Sequence, residues 1–165
     1  MSQNGNTKER SCIMVKPDGI QRGLVGEIIS RFEKRGYKII AAKMVYIEDE
    51  KERRERFEKH YAGFEYLEFF DSLIEYLKCG PVLAMVIEGT AAIRTGRAIL
   101  GETDPPEEKS GRYPPGTIRG DYALSKARNV CHGSSSAEEA EKEIALWFPE
   151  GFYDYTLAVN DWIYS

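Results

Sequence analysis

Apolar and polar positions switch between two periods along the 165-residue chain, and the switches mark its elements. Cys12-Ile13-Met14-Val15 is a compact apolar run suited to a buried strand, and Lys16-Pro17-Asp18-Gly19 breaks it with turn residues. Leu24, Ile28, Ile29 and Phe32 share one face of a helix over 24–35 that Gly36 stops. Residues 37–47 are rich in Ile, Val and Tyr and read as a strand. Residues 49–60 crowd Glu, Lys and Arg into a polar helix whose main apolar contact is Phe57. Leu67, Phe70, Leu73, Ile74 and Leu77 recur at helical spacing over 66–78, until Gly80-Pro81 ends the run. Residues 82–87 are continuously apolar, as a central strand would be.

A short helix over 90–100 leads into a loop over 101–120 that is rich in Pro and Gly. Long loops inside compact domains are often functional. Beyond it the pattern predicts a helical turn at 122–127, an extended segment at 129–132 and a helix over 137–147. The last is opened by the capping-box sequence Ser136-Ala137-Glu138-Glu139. The aromatic tail 149–165 is expected to pack on a surface, and residues 1–10 to form a flexible arm. The order βαβ, helices, β, α, loop, β, α predicts an α+β sandwich, one antiparallel sheet covered by helices, in a single domain over 11–165.

Composition narrows the partners. With 42% hydrophobic and 30% charged residues the chain is a well-solvated globular domain with a sizeable core. A net charge of −4 argues against binding long nucleic acid, which depends on a positive field. A small anion is still admitted, provided a local cluster of cations holds it. No apolar stretch approaches the ~18 residues that would span a bilayer, and the polar start has no secretory h-region. A cytoplasmic location is expected. Cys12, Cys79 and Cys131 are odd in number and widely spaced, which predicts reduced thiols, with neither a metal site nor a disulfide framework.

Chemistry concentrates around one of the two histidines. His132 ends a short apolar segment and is followed by glycine, serines and a helix start, so an imidazole stands beside backbone N–H groups that favour anions. Such a histidine is either a structural hydrogen bonder or a nucleophile. Glu143, on the following helix, is either a solvated residue or a carboxylate that reaches back to one ring nitrogen. In the second case it would fix the tautomer and leave the other nitrogen free to attack. Lys16, Arg97, Thr103 and Arg119 stand beside glycines at element boundaries. Arg binds phosphate bidentately and Lys acts as a point charge. Neither a Walker P-loop nor the protein-kinase motifs are present.

Asn129-x-x-His132-Gly133-Ser134 with Glu143 downstream resembles the active-site signature of nucleoside diphosphate kinases. Val15-Lys16-Pro17-Asp18-Gly19, His60-Tyr61 with Phe69-Phe70, Gly101-Glu102-Thr103, Gly116-Thr117-Ile118-Arg119-Gly120-Asp121 and the closing Trp162-Ile163-Tyr164 follow in the family's order, over roughly residues 10–165. The resemblance implies a ferredoxin-like βαββαβ sandwich with an antiparallel sheet and added helices. It also implies transfer of the γ-phosphate of ATP, or of another nucleoside triphosphate, to nucleoside diphosphates. The route is ping-pong, through a phosphohistidine. In that scheme His132 is the nucleophile, through Nδ1, and Glu143 holds its other nitrogen. Lys16 and Tyr61 stand near the transferred phosphate, and Arg97, Thr103 and Arg119 clamp the phosphates. Phe69 stacks on the base, while Lys16 and Asn129 contact the sugar hydroxyls. Mg²⁺ is the implied cofactor, held mainly by phosphates and water. The implied assembly is a homo-oligomer, a hexamer in preference to a tetramer, with the aromatic tail at a subunit contact.

Two features depart from the family pattern. The aspartate after His-Gly-Ser is here Ser135, which can hydrogen-bond but supplies no charge. The loop between Thr103 and Arg119 is a few residues longer, and its Arg112 offers either a further phosphate contact or part of a surface insertion. An alternative function is a nucleotide-binding regulatory module of the same fold with reduced turnover.

Overall fold

The computed structural model describes residues 8–103 and 114–164. Four strands form one antiparallel sheet in the order β2-β3-β1-β4. They are β1 Glu9–Val15, β2 Lys38–Val45, β3 Val82–Gly89 and β4 Cys131–Gly133. The helices are α1 Pro17–Gln21, α2 Val25–Arg35, α3 Glu50–His60, α4 Phe70–Lys78, α5 Ala92–Leu100, α6 Ile118–Tyr122, α7 Ala137–Trp147 and α8 Asn160–Ile163. The expected α+β sandwich with a ferredoxin-like core is present. β1 and β3 lie inside the sheet, and every residue of β3 is buried, which is why its sequence shows no alternation.

The pleat sends alternate side chains to two cores. Ile13, Val15, Met85, Ile87 and Cys131 face α2, α5 and α6 and meet Ile28, Phe32, Leu100 and Ile118. Cys12, Met14, Ala84 and Val86 face the other layer and meet Phe57, Phe70, Ile74, Leu77 and Trp147 of α3, α4 and α7. Burying a side chain such as Phe32 or Ile74 stabilises the fold by roughly 1.5–3 kcal/mol. Met14 pairs with His132 across β1 and β4, so His132 projects into the second layer, between α3 and α7.

Local signals explain most boundaries. Gly36 ends α2 in the left-handed region, φ 100°, as a glycine C-cap does. Asp49 and Ser136 cap α3 and α7 by accepting from Glu52 N and Glu139 N. Several expectations need correction. Lys16-Pro17-Asp18-Gly19, expected as a turn, instead leads into α1 over Pro17–Gln21, because Pro17 sits in the first turn, where its missing N–H costs nothing. The helix expected over 66–78 begins at Phe70, since the chain before it runs through successive turns. The expected helical turn at 122–127 lies earlier, as α6, where Thr117 accepts from Gly120 N. β1 begins at Glu9, inside the expected arm, and residues 1–7 lie outside the described residues. The tail folds back over β2, with Tyr153 N donating to Ile40 O at 2.9 Å and Tyr164 Oη to Gly36 O at 3.0 Å.

Candidate active site

β4 and α7 carry the centre of the site. His132 Nε2 lies 2.7 Å from Glu143 Oε1, and Ser134 Oγ donates to Glu143 Oε2 at 2.6 Å. Two turns of α7 bring Glu143 back under β4, so the carboxylate accepts from His132 and from Ser134 just past the strand. With Nε2–H donating to a carboxylate, Nδ1 is the unprotonated nitrogen. Burial, followed by the charges of Lys16 and Arg119, holds the His132 pKa well below the ordinary histidine value, and the ring is neutral at pH 7. Burial also raises the pKa of Glu143.

A second histidine packs edge-on against the first. The ring centroids of His60 and His132 are 4.5 Å apart. His60 Nδ1 accepts from Trp147 Nε1 at 3.1 Å, so its proton belongs on Nε2, a buried atom without a hydrogen-bond partner. Burial drives its pKa down to about 3, and it packs as a neutral ring against His132. Tyr61 packs on both rings, with centroids 4.6 Å from His60 and 5.8 Å from His132. Burial raises its phenol pKa, so it stays a donor.

The cations come from the end of β1 and from helices α5 and α6. Lys16, just past β1, donates to Asn129 Oδ1 at 2.7 Å, and Asn129 Nδ2 reaches Thr103 O at 3.3 Å. Burial, then Arg119, lowers the Lys16 pKa to about 8. Arg119 is buried and donates to Gly101 O at 2.8 Å and Cys131 O at 2.6 Å, which ties α6 to the end of α5 and to β4. Arg97 and Arg119 both approach Thr103 Oγ1, each at 3.4 Å. Phe69 stands apart from them at the start of α4, 45% exposed.

One cleft of about 1410 Å³ is lined by every site residue expected from the sequence: Lys16, Tyr61, Phe69, Arg97, Thr103, Arg119, Asn129, His132 and Glu143. Arg112 lies outside the described residues. The nucleoside diphosphate kinase family model matches residues 9–152. A nucleoside diphosphate kinase of Saccharum officinarum is 52% identical over 95% of this chain and 99% of its own. A form B enzyme of Rattus norvegicus is 48% identical over 95% and 97%.

The chain belongs to the nucleoside diphosphate kinase family.

The solved structures agree with that membership. The family protein of Babesia bovis superposes with a TM-score of 0.83 at 44% identity, covering 94% of this chain and 99% of its own. The halophilic enzyme of Halobacterium salinarum, solved with CDP, gives 0.84 at 42%, covering 96% and 99%. As a nucleoside diphosphate kinase this chain is a phosphotransferase acting on nucleotides.

Some of the kinase's site has no local signal in the sequence. Asp18, which the sequence places in a turn and in the Val15–Gly19 motif without a role of its own, is buried, accepts from the Tyr76 hydroxyl and takes Val130 N on Oδ2 at 3.1 Å. Val130, expected to be extended, has φ 71°, an uncommon conformation for a β-branched residue. Lys16 N donating to Val130 O at 2.9 Å, together with Asp18, holds it there, and the kink turns the chain from Asn129 into β4. Gly19 has to be glycine, because a Cβ would stand 2.7 Å from Val15 Cγ1 and 2.9 Å from Val130 O. The capping box at α7 is shifted by one residue. Glu139 does not turn back to Ser136 N but accepts from Ser135 N at 3.0 Å and from Ser135 Oγ at 2.5 Å. A carboxylate therefore stands beside position 135 after all, supplied from the first turn of α7.

Proposed function

We propose that this kinase moves the phosphoryl group through His132. The Nδ1 lone pair attacks the γ-phosphorus of ATP, or of another nucleoside triphosphate, and the bond to the bridging β,γ-oxygen breaks. The nucleoside diphosphate then leaves. An acceptor diphosphate enters the same cleft, its terminal oxygen attacks the phosphohistidine, and the P–N bond breaks. The observation that carries this reading is the 2.7 Å contact from His132 Nε2 to Glu143, which leaves Nδ1 as the nucleophile and stabilises positive charge as it grows on the ring. Lys16 and Tyr61 supply donors at the transferred phosphate, and Arg97, Thr103 and Arg119 neutralise the others. Lys16 and Asn129, already hydrogen-bonded to each other, meet the sugar hydroxyls. Phe69 stacks on the base, a contact that any base can make. The CDP in the halophilic relative supports a nucleoside diphosphate in this cleft.

Magnesium fits here as a phosphate-borne ion. Among the described residues the cluster of three potential metal ligands is His60, His132 and Glu143, which is nitrogen-rich and already hydrogen-bonded within itself. Glu138 and Glu139 are hard oxygen donors on the cleft wall and would be the side chains to meet the waters of such an ion. Bound Mg²⁺ would neutralise phosphate oxygens.

A cytoplasmic homo-oligomer, a hexamer in preference to a tetramer, completes the proposal. Trp162 at 88% exposure, with Met44 and Tyr46 also exposed at the β2 side, supports assembly. Among the described residues no helix is long and apolar enough to cross a membrane.

The test is to incubate the protein with Mg²⁺ and ATP labelled in the γ-phosphate. The expected result is acid-labile label on one histidine, discharged to GTP by GDP and absent in His132→Ala. Binding of ATP without label would instead favour a regulatory module of reduced turnover. Normal turnover by His132→Ala would overturn the mechanism.

A further inference from the structure

We propose that Lys126 makes the base end of the cleft favour bases with a carbonyl at their outer edge, guanine over adenine and uracil over cytosine. The inference rests on the reading of Phe69 as the stacking platform. Lys126 sits in the turn between α6 and β4, is exposed, and holds its ammonium over the Phe69 ring, 5.4 Å from the centroid. Both residues line the cleft. Arg128 repeats the arrangement one step deeper, 4.9 Å over Tyr76. Cations from the 123–129 turn thus lean across the gap onto the aromatic rings of Phe69, at the cap of α4, and Tyr76 within it.

A base cannot enter while that gap stays as it is. Stacked partners sit roughly 3.5 Å apart, so a base held between the phenyl ring and another group needs about 7 Å. The ammonium has to yield, and its tether keeps it at the rim of the incoming base. The phosphates point inward to His132 and the sugar lies between. The base edge furthest from the sugar therefore points outward, to the mouth where Lys126 stands. That edge carries position 6 of a purine and position 4 of a pyrimidine. Lysine has three donors and no acceptor. Guanine offers it O6 beside N7, whereas adenine offers N7 beside an amino donor. Uracil offers O4 where cytosine has an amino group. Stacking on Phe69 treats all four bases alike, so the preference falls to Lys126.

The experiment measures kcat/KM for ADP, GDP, CDP and UDP as acceptors, with the wild type and with Lys126→Met. The substitution keeps length and apolar stem at an exposed position and removes the charge. A single good contact predicts GDP:ADP and UDP:CDP ratios of about fivefold in the wild type. Both ratios should collapse towards one in the variant, with the change carried by KM. Wild-type ratios near one, unchanged ratios in Lys126→Met, or an equal loss for all four nucleotides would each overturn the proposal. Phe69→Ala separates the two layers of the argument. If it raises KM for all four while Lys126→Met leaves the ratios alone, stacking stands and the role of Lys126 fails. If Phe69→Ala changes nothing, both fail.

Discussion

At the His132 end of the cleft, Lys16, Arg119, Asn129, Ser134 and Glu143 are all buried, and each is hydrogen-bonded to another part of the chain. At the Phe69 end the ring is 45% exposed and its neighbour Lys126 lies on the surface. On the proposed mechanism the contrast follows the work assigned to each end. Phosphoryl transfer needs charges and a nucleophile held to a fraction of an ångström, and only buried, cross-linked side chains hold that precision. A base that may be purine or pyrimidine needs a flat apolar face with room around it. Changes at the first end should therefore act on kcat and changes at the second on KM.

The sharpest way to break this comparison is Glu143→Gln. The amide keeps the volume but loses the charge that stabilises the His132 ring as it becomes cationic. It also offers Ser134 and His132 one acceptor in place of two. The expectation is a fall in kcat of about 10²–10⁴-fold with KM nearly unchanged. Steady-state kinetics would check it. A variant with normal kcat and a raised KM would mean that Glu143 serves binding and that the two ends do not divide the labour.

Phe69→Ala should show the opposite signature. Loss of base stacking is worth about 1–3 kcal/mol, so KM should rise roughly 5- to 150-fold for every nucleotide. kcat should change little. A matching fall in kcat would show that the base end also positions the phosphates.

How far the two ends could be read in the sequence differs for the same reason. The His132–Glu143 pair was legible through the family resemblance, since spacing alone left Glu143 either solvated or turned back to the ring. The sheet and its two helical layers were legible because β3 is continuously apolar and α2 carries its buried residues on one face. What was hidden depends on contacts remote in sequence. Asp18 and Val130 are 112 positions apart, and no local pattern foretells that one holds the other in a left-handed conformation. Lys126 over Phe69 is hidden in the same way, since each looks like an ordinary surface residue within its own segment. The stretch 104–113, including Arg112, lies outside the described residues, so the expectation for the longer loop stands as a proposal.

Acid should act on the buried end. The pKa values of His60 and His132 are both lowered, first of all by burial. The unfolded chain, with histidine near 6.5, thus binds more protons than the folded one at any pH between there and about 3. The stability this represents is present above pH ~6.5 and is lost as pH falls through the window, at up to about 1.4 kcal/mol per pH unit for each histidine. Urea midpoints should drop between pH 7 and pH 5, and His60→Gln should make the drop shallower. A flat profile would mean that neither ring is held neutral. On the alkaline side, Lys16, lowered to about 8, should lose its charge in the free enzyme first, so kcat/KM should fall above that pH before kcat does.

The smallest effect belongs to Glu139, which lines the cleft beside Ser135. It is half-buried, ties Ser135 to α7, and its charge raises the His132 pKa slightly against the stronger pull of burial, Lys16 and Arg119. Glu139→Gln keeps the length of the side chain and removes the charge at a helix N-terminus, which is worth about 0.3–1 kcal/mol. Activity should fall no more than about fivefold, and the loss should be relieved when Ser135→Asp is added, because that change returns a carboxylate to the same corner. Rescue by the second substitution would show that what matters at this corner is a negative charge, whichever position bears it. If the double variant is no better than Glu139→Gln alone, the hydrogen bonds of Glu139 to Ser135 are what the site requires, and position 135 tolerates serine only because Glu139 reaches it.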